Sequence, residues 1–526
     1  MRKVEGWWVF AVALGVRLAY LATARGPAFD EPLIDADYYD FLGARLAEGL
    51  GFPPGPFWQP PLYPLFLGGL YGLVGHTLWA PRLVQALLGA ATAALCFHLA
   101  LRLTRQVWAA RVAGLLVALH GPLVFYDGEL LATSLATFLG TLALWLATSE
   151  RPTPARALVA GAVVGLGALA VAPLLLLAAP VAWAFASGRS WRPVLSLLAT
   201  LAVLLPVTLT NQARSGELIL ISANGGINLW IGNNPDMDRA FAIRPGRDWE
   251  ELVAEPERHG LHTPAGQDRY FVNKALGWCA ARPMACLRNL GWKARLLLLS
   301  RELPRNEDLY VLREQSPVLE ALTAHWGGAA LPYVLLWPLA VVGVGVVVLR
   351  PERERRLVLA AALVLAAPCV LFFVTGRYRA PLAPVLCVLA ALGLAELSAL
   401  RRRARAAVLL GALGTLALAV WPVELAVDRV DFQAELHYVV GGRRARLGDD
   451  AGAVEAWRKA LERQPGYLEA GYNLGLALQR LGRHQEAARS FEALLTHHPG
   501  WQPARQALAE ARRLAGGSEE ASPASP

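Results

Sequence analysis

The chain has 526 residues, of which 55% are hydrophobic and only 17% charged, with a formal net charge of +9. A soluble domain carries about 25% charge and roughly 45–50% apolar residues, so this composition excludes an ordinary soluble protein. The positive charge does not point to nucleic acid either. The basic residues sit in short clusters between apolar blocks, a pattern of membrane topology rather than of a phosphate-binding face.

Taken in chain order, apolar runs predict membrane helices near 7–24, 80–100, 112–126, 128–148, 157–170, 172–186, 194–210, 329–349, 357–375, 380–398 and 406–422. The fold class expected is therefore an all-α polytopic membrane protein with about ten to twelve crossings. Residues 61–75 form a shorter apolar stretch, expected to be interfacial or re-entrant. With a cytoplasmic N-terminus, the inside segments carry Arg2, Lys3, Arg102, Arg105, Arg111, Arg151, Arg156, Arg189, Arg192, Arg350, Arg353, Arg355, Arg356, Arg401, Arg402, Arg403 and Arg405. The short outside segments carry only Arg25, Arg45, Arg377 and Arg379. The positive-inside rule then sets residues 211–328 and everything after 423 outside. A signal-peptide reading of Arg2-Lys3 and Ala22-Thr23-Ala24 is opposed by Arg17 within the apolar stretch.

The first outside loop places Asp30, Glu31, Asp35, Asp37 and Asp40 within a short span. Such a cluster is ordinarily a solvated loop. Here Asp35, Asp37 and Tyr39 lead into a helical pattern (Phe41-Leu42, Leu46), so the carboxylates fall at a helix start, where negative charge is stabilised. The segment Gln59-Pro60-Pro61-Leu62-Tyr63-Pro64 then stiffens the return to the membrane. Within the long outer loop, His259 and His262 read as exposed bystanders rather than metal ligands, and the stretch 236–328 as amphipathic helices roofing the membrane domain. Cys96, Cys369 and Cys387 lie in apolar blocks as small hydrophobes. Cys279 and Cys286 are too far apart on a single helix and pair only if Arg282-Pro283 breaks it. Arg377 and Arg379 depart from the charge rule for short outer loops. A lipid-phosphate contact accounts for them, arginine being a forked phosphate donor, and snorkelling to head groups is the plainer alternative.

The C-terminus repeats itself at a period of 34 residues: Gly441 with Gly475, Gly448 with Gly482, Ala453 with Ala487, Trp457 with Phe491, Pro465 with Pro499. These are the tetratricopeptide positions, small residues where paired helices cross and an aromatic that fills the neighbour. The domains expected are a membrane domain over 1–422, a linker over 423–433, two repeats with a capping helix over 434–515, and a polar, disordered tail from 516 to 526. The repeats offer a surface for a protein or peptide partner, or simply cap the fold.

The order of motifs DADYYDFLGARLAEG, QPPLYPLFLGGLYGLVG and PRLVQALLGA resembles the GT-C class of polyprenyl-phosphate-sugar glycosyltransferases, closest to bacterial relatives of protein mannosyltransferases and of the lipid A aminoarabinose transferase. Three further pieces follow in the family's order: Tyr126-Asp127-Gly128-Glu129, the run Ser222 to Pro235 containing Asn224, Asn233 and Asn234, and Gly376-Arg377-Tyr378-Arg379-Ala380-Pro381. The resemblance implies an enzyme of the outer face of a bacterial cytoplasmic membrane, using a polyprenyl-phosphate sugar. It places Asp35 at the general base, with Asp37, Tyr39, Gln59 and Glu129 orienting acceptor or donor. Asp37 and Glu129 are also the residues that would hold a divalent cation. Arg377 and Arg379 would meet the lipid phosphate, and one base without a second nucleophile implies inversion. Val171 stands where relatives carry an arginine after Gly-Leu-Gly-Ala-Leu-Ala, which puts a substrate contact there in doubt. The alternatives are a ligase or polymerase acting on a lipid pyrophosphate, and a scaffold that uses the repeats to organise an envelope complex. A transporter is disfavoured because the carboxylates gather at one face rather than at mid-membrane.

Overall fold

The computed structural model describes residues 4–149, 152–186 and 190–519. The topology residues Arg2, Lys3, Arg151 and Arg189, and the last residues of the expected tail, lie outside these. Each expected apolar run is a helix, and the only strands among the described residues are the two-residue antiparallel pair His325–Trp326 and Ala329–Ala330.

Helix lengths divide the expected apolar runs into two groups. Five helices are long and apolar enough to cross a membrane: Gly6–Thr23, Trp79–Thr104, Arg192–Ser215, Gly376–Ala399 and Arg402–Val420. The pair Val107–Ala118 and Gly121–Gly128 passes the same length and apolarity only when taken together, and is bent by 49° at its break. Pro122 explains the break, since it cannot continue the preceding helix's hydrogen-bond ladder. Leu62–Val74, Thr133–Ala147, Pro154–Ala170, Ala172–Phe185 and Tyr333–Leu349 are apolar but shorter. At about 1.5 Å rise per residue they fall short of a hydrocarbon core of about 30 Å. Arg353–Leu371 loses apolar length to the charged opening Arg353, Glu354, Arg355 and Arg356.

Trp79–Thr104 is the central post, packed on Val4–Thr23, Val107–Ala118, Thr133–Ala147 and Ala383–Glu396. Small residues let these helices approach closely, which is how membrane helices gain contact without a hydrophobic driving force. A Cβ on Gly161 would sit 1.9 Å from the Ser196 carbonyl oxygen, and one on Gly343 1.9 Å from that of Leu389. Arg17 lies in this core, where its Nε donates to Asp127 Oδ2 at 2.6 Å. The long segment 211–328 is largely helical, as expected. Its helices Pro264–Ala281 and Pro283–Leu297 part at Arg282, and Cys279 and Cys286 are joined by a disulfide.

The C-terminal repeats are the hairpins Phe432–Arg446 with Asp450–Arg463 and Leu468–Arg480 with His484–His497, capped by Gln502–Glu519. That last helix runs past the expected end at Ala515, so the tail is helical as far as 519. The linker is pinned rather than loose: Val427 and Leu425 are buried in the main core, and Arg301 pairs with Asp428 at 2.7 Å. In each hairpin a glycine admits an aromatic ring. A Cβ on Gly475 would meet Phe491 at 2.3 Å, and one on Gly441 would meet Trp457 at 2.5 Å. Gly475→Ala is therefore expected to cost about 1–3 kcal/mol of repeat stability. The check is amide exchange, which should rise through 469–500 while the membrane helices stay protected.

Candidate active site

Parts of several of these motifs come together around Asp35. This residue is the first of the helix Asp35–Ala47, and the residue before it, Ile34, has φ 52°. A β-branched side chain in that region is strained, and such strain collects at functional sites. The Asp35 carboxylate is held from three directions. Asn306 Nδ2 donates to Oδ2 at 2.9 Å, Gln59 Nε2 donates to Oδ1 at 3.3 Å, and the Arg377 guanidinium pairs with Oδ2. Gln59 reaches it because the Pro-rich segment is tied down: Phe57 N donates to Asn211 Oδ1 at 2.9 Å, and Ala223 N to Phe57 O at 2.9 Å.

Two cavities meet beside this carboxylate, at Gln59 and Arg377, which hold it. One, of about 360 Å³, is walled largely by apolar groups, among them Leu131, Val171, Leu175, Pro368 and Phe372. The other, of about 410 Å³, is polar and aromatic, with Asp35, Trp58, Arg244, Trp249, Arg305 and Asn306 on its walls. Gln59, Asn224, Asn228 and Arg377 line both. A third space of about 40 Å³ lies behind Asp35, among Tyr126, Glu302, Glu307 and Thr375. Gln59 Oε1 and Arg377 Nε are buried with no protein partner, so the junction keeps a free acceptor and a free donor. Burial, then nearby Glu129 and Asp35, pushes the Glu307 carboxyl well above its ordinary value. Burial, reinforced by Arg244 and Arg377, brings the Arg305 guanidinium down to about 10.

The expected site residues divide. Asp35, Gln59, Tyr39, Asn224 and Arg377 come together; Tyr39 is buried edge-on to Tyr63 at 5.1 Å and faces the apolar cavity. Asp37 faces away, taking Arg443 Nε at 2.9 Å and Arg446 Nη2 at 2.5 Å from the first repeat helix. Glu129 is buried behind the site near Arg82, and Gln85 Nε2 donates to its backbone oxygen at 2.7 Å. Asn233 and Asn234 close the helix Gly225–Gly232 instead of lining a cavity. Asn234 Nδ2 donates to Trp230 O, and Asn233 Oδ1 accepts from the buried Lys293. Arg379 is walled in: it pairs with Glu302 at 3.1 Å, donates to Leu299 O and Arg301 O at 2.8 Å each, and stacks over Tyr333 at 4.1 Å. The expected lipid-phosphate contact has no opening at Arg379: its side chain is 1% exposed and lines none of the three cavities around Asp35.

The cation reading fits poorly. Asp37 and Glu129 are apart, Asp35 is surrounded by guanidinium and amide donors, and no group of three or more His, Cys, Asp or Glu among the described residues is placed to hold a metal. Sequence reasoning missed Arg244, Arg305, Asn306 and Glu307. The stretch Arg301-Glu302-Leu303-Pro304-Arg305-Asn306-Glu307-Asp308 was itself the signal, a dense polar run around a proline in an otherwise apolar neighbourhood.

A family model for the tetratricopeptide repeat matches residues 469–500. No curated protein matches the chain in sequence. Among solved structures, the fold is similar to the Archaeoglobus fulgidus oligosaccharyltransferase in the apo form, with a TM-score of 0.44 and 16% identity over 79% of this chain and 55% of that one. The chain thus spans about half the length of the archaeal protein. It is also similar to ArnT from Cupriavidus metallidurans bound to undecaprenyl phosphate, with a TM-score of 0.40 and 17% identity over 93% of this chain and 80% of that one. The apo state of ArnT gives 0.41 and 16% over the same shares. At these scores the likeness is one of general shape, and the chemistry of the site rests on its own geometry. The chain is a multi-pass, all-helical membrane protein that carries a tetratricopeptide domain at its C-terminus.

Proposed function

We propose that the protein is a glycosyltransferase that moves a sugar from a polyprenyl-phosphate donor to an acceptor at the outer face of a cytoplasmic membrane. One observation carries this reading: Arg377 stands where an apolar cavity adjoins a polar one, paired with Asp35 on the wall of the polar side. A polyprenyl-phosphate sugar is itself divided in this way, with an apolar tail, an anionic joint and a polar head. The tail fits the wall of Leu131, Val171, Leu175 and Phe372, and Val171 in place of an arginine keeps that wall apolar. The phosphate falls to Arg377, whose Nε is free to donate. The sugar and acceptor take the polar cavity, where Trp58 and Trp249 offer flat faces for sugar rings.

The reaction follows from the groups present. Asp35 accepts the acceptor's hydroxyl proton as that oxygen attacks the anomeric carbon. The bond from that carbon to the phosphate oxygen breaks, and the lipid phosphate leaves with its pair of electrons, stabilised by Arg377. Before the donor arrives Arg377 neutralises Asp35; the phosphate then competes for the guanidinium and frees the carboxylate to act as a base. The outer-face assignment is supported by the Cys279–Cys286 disulfide, since disulfides persist in oxidising compartments, and by the arginine distribution.

Two measurements test this. Undecaprenyl phosphate should bind the protein in nanodiscs, and Arg377→Gln should weaken that binding by roughly 10-fold or more. An Arg377→Gln protein that binds it as tightly as wild type would remove Arg377 from the lipid phosphate. The product's anomeric configuration by NMR should be inverted relative to the donor, and retention would contradict direct displacement with Asp35 as the base.

A further inference from the structure

The repeat domain is bolted beside the site at two points, one on a wall of the polar cavity and one on the outward face of the helix that Asp35 opens. On one side Arg244, which lines that cavity, donates Nε to Glu435 Oε2 at 2.6 Å and pairs with the other carboxylate oxygen through Nη2. Glu435 is 4% exposed, and the same guanidinium lies 4.7 Å over the Phe432 ring. On the other side Arg443 and Arg446 grip Asp37, and Arg444 grips Glu31 at 2.7 Å. Asp37 is two residues along the helix that Asp35 opens. All these groups belong to one helix, Phe432–Arg446. Glu435 and Arg446 are eleven positions apart, so the helix carries them about 16 Å from one another.

A domain that merely anchors itself has no need to place a buried carboxylate on a cavity-lining arginine. We propose that the first repeat helix is a clamp that builds the acceptor side of the site, with Glu435 the positioning residue that aims Arg244 into the polar cavity. This rests on the reading of that cavity as the acceptor's. Without Glu435, Arg244 keeps only its Nη1 contact to the Arg305 carbonyl and its stacking on Phe432, and a reacting group misplaced by about 1 Å can cost 100-fold in rate. Arg443, Arg444 and Arg446 act in concert, neutralising the acidic loop that would otherwise surround Asp35 with like charge. A partner that engages the repeats therefore acts on a helix that is already part of the catalytic wall.

The experiment uses the full chain in nanodiscs and compares wild type, Glu435→Gln, Arg244→Lys and the charge-swapped pair Arg244→Glu with Glu435→Arg. Glu435→Gln should raise amide exchange in 242–249 while 469–500 stays protected, and Arg244→Lys, which leaves the repeats untouched, should do the same. In membranes containing the native acceptor, Glu435→Gln should lower the maximal rate of consumption of the donor that wild type uses by about 10-fold, with the donor KM unchanged. The swapped pair should restore protection but not rate, because the guanidinium then lies on the wrong wall. Unchanged exchange in 242–249, or full rate in the swapped pair, would reduce the contact to an anchor and overturn the proposal. If wild type consumes no donor, the reading of the enzyme fails while the exchange data still decide whether the clamp exists.

Discussion

Asp35→Asn is expected to lower transfer by about 10²–10⁴-fold while protein abundance and membrane insertion stay normal. The amide keeps the shape of the carboxylate: its oxygen still accepts from Asn306, and its NH2 can donate to Gln59 Oε1 once the Gln59 amide turns over, so the helix Asp35–Ala47 keeps its place. What it loses is the capacity to take a proton at neutral pH. Arg377 also loses its anionic partner, which leaves the guanidinium available to the lipid phosphate. The variant should therefore bind undecaprenyl phosphate at least as well as wild type. Turnover near the wild-type rate, measured on protein of matched abundance, would take Asp35 out of the base's role.

The second large effect separates two arginines that lie side by side in the chain. Arg377→Gln should leave abundance nearly normal and reduce transfer by roughly 10²–10³-fold, the loss typical when one stabilising donor is removed from a reacting centre. Arg379→Gln should do the reverse and deplete the protein itself. It leaves Glu302 buried without its cation and strips donors from Leu297 O, Leu299 O and Arg301 O. Breaking a buried pair from one side costs about 3–5 kcal/mol. Fluorescence size-exclusion of the two variants distinguishes them before any assay is run. Equal depletion of both would mean that Arg377 is structural too.

That contrast also shows where the sequence stops being readable. Residues 377 and 379 carry the same side chain in the same motif, and both break the same charge rule. On a helical turn they are about 200° apart, so one faces the cavity and the other the core. Nothing in the motif says which. The apolar runs were legible because burial in lipid requires them to be apolar throughout, and the repeat was legible because its glycines must admit Trp457 and Phe491 at a fixed period. Asp35 with Gln59 was legible from the acidic helix start and the prolines that return the chain beside it. Asp37 was read as part of the same cluster, yet its partner Arg443 is 406 residues away, and no local pattern announces such a contact. Asn306 and Arg305 escaped for a related reason: they lie on an irregular segment, where neither helical nor strand periodicity assigns a face. Helix ends were less legible, because periodicity marks apolar character but not where Pro122 bends a helix or a charged opening such as Arg353–Arg356 takes up its length.

The most direct test of the central claim is a transfer assay. Purified protein in nanodiscs, with native membranes as the source of acceptor, is given a panel of radiolabelled polyprenyl-phosphate monosaccharides beside Asp35→Asn. Consumption of one donor that disappears in the variant is the predicted result, and it names the sugar. If the folded wild-type protein consumes none of them, the account is contradicted, and a lipid-pyrophosphate oligosaccharide becomes the donor to test in the same site.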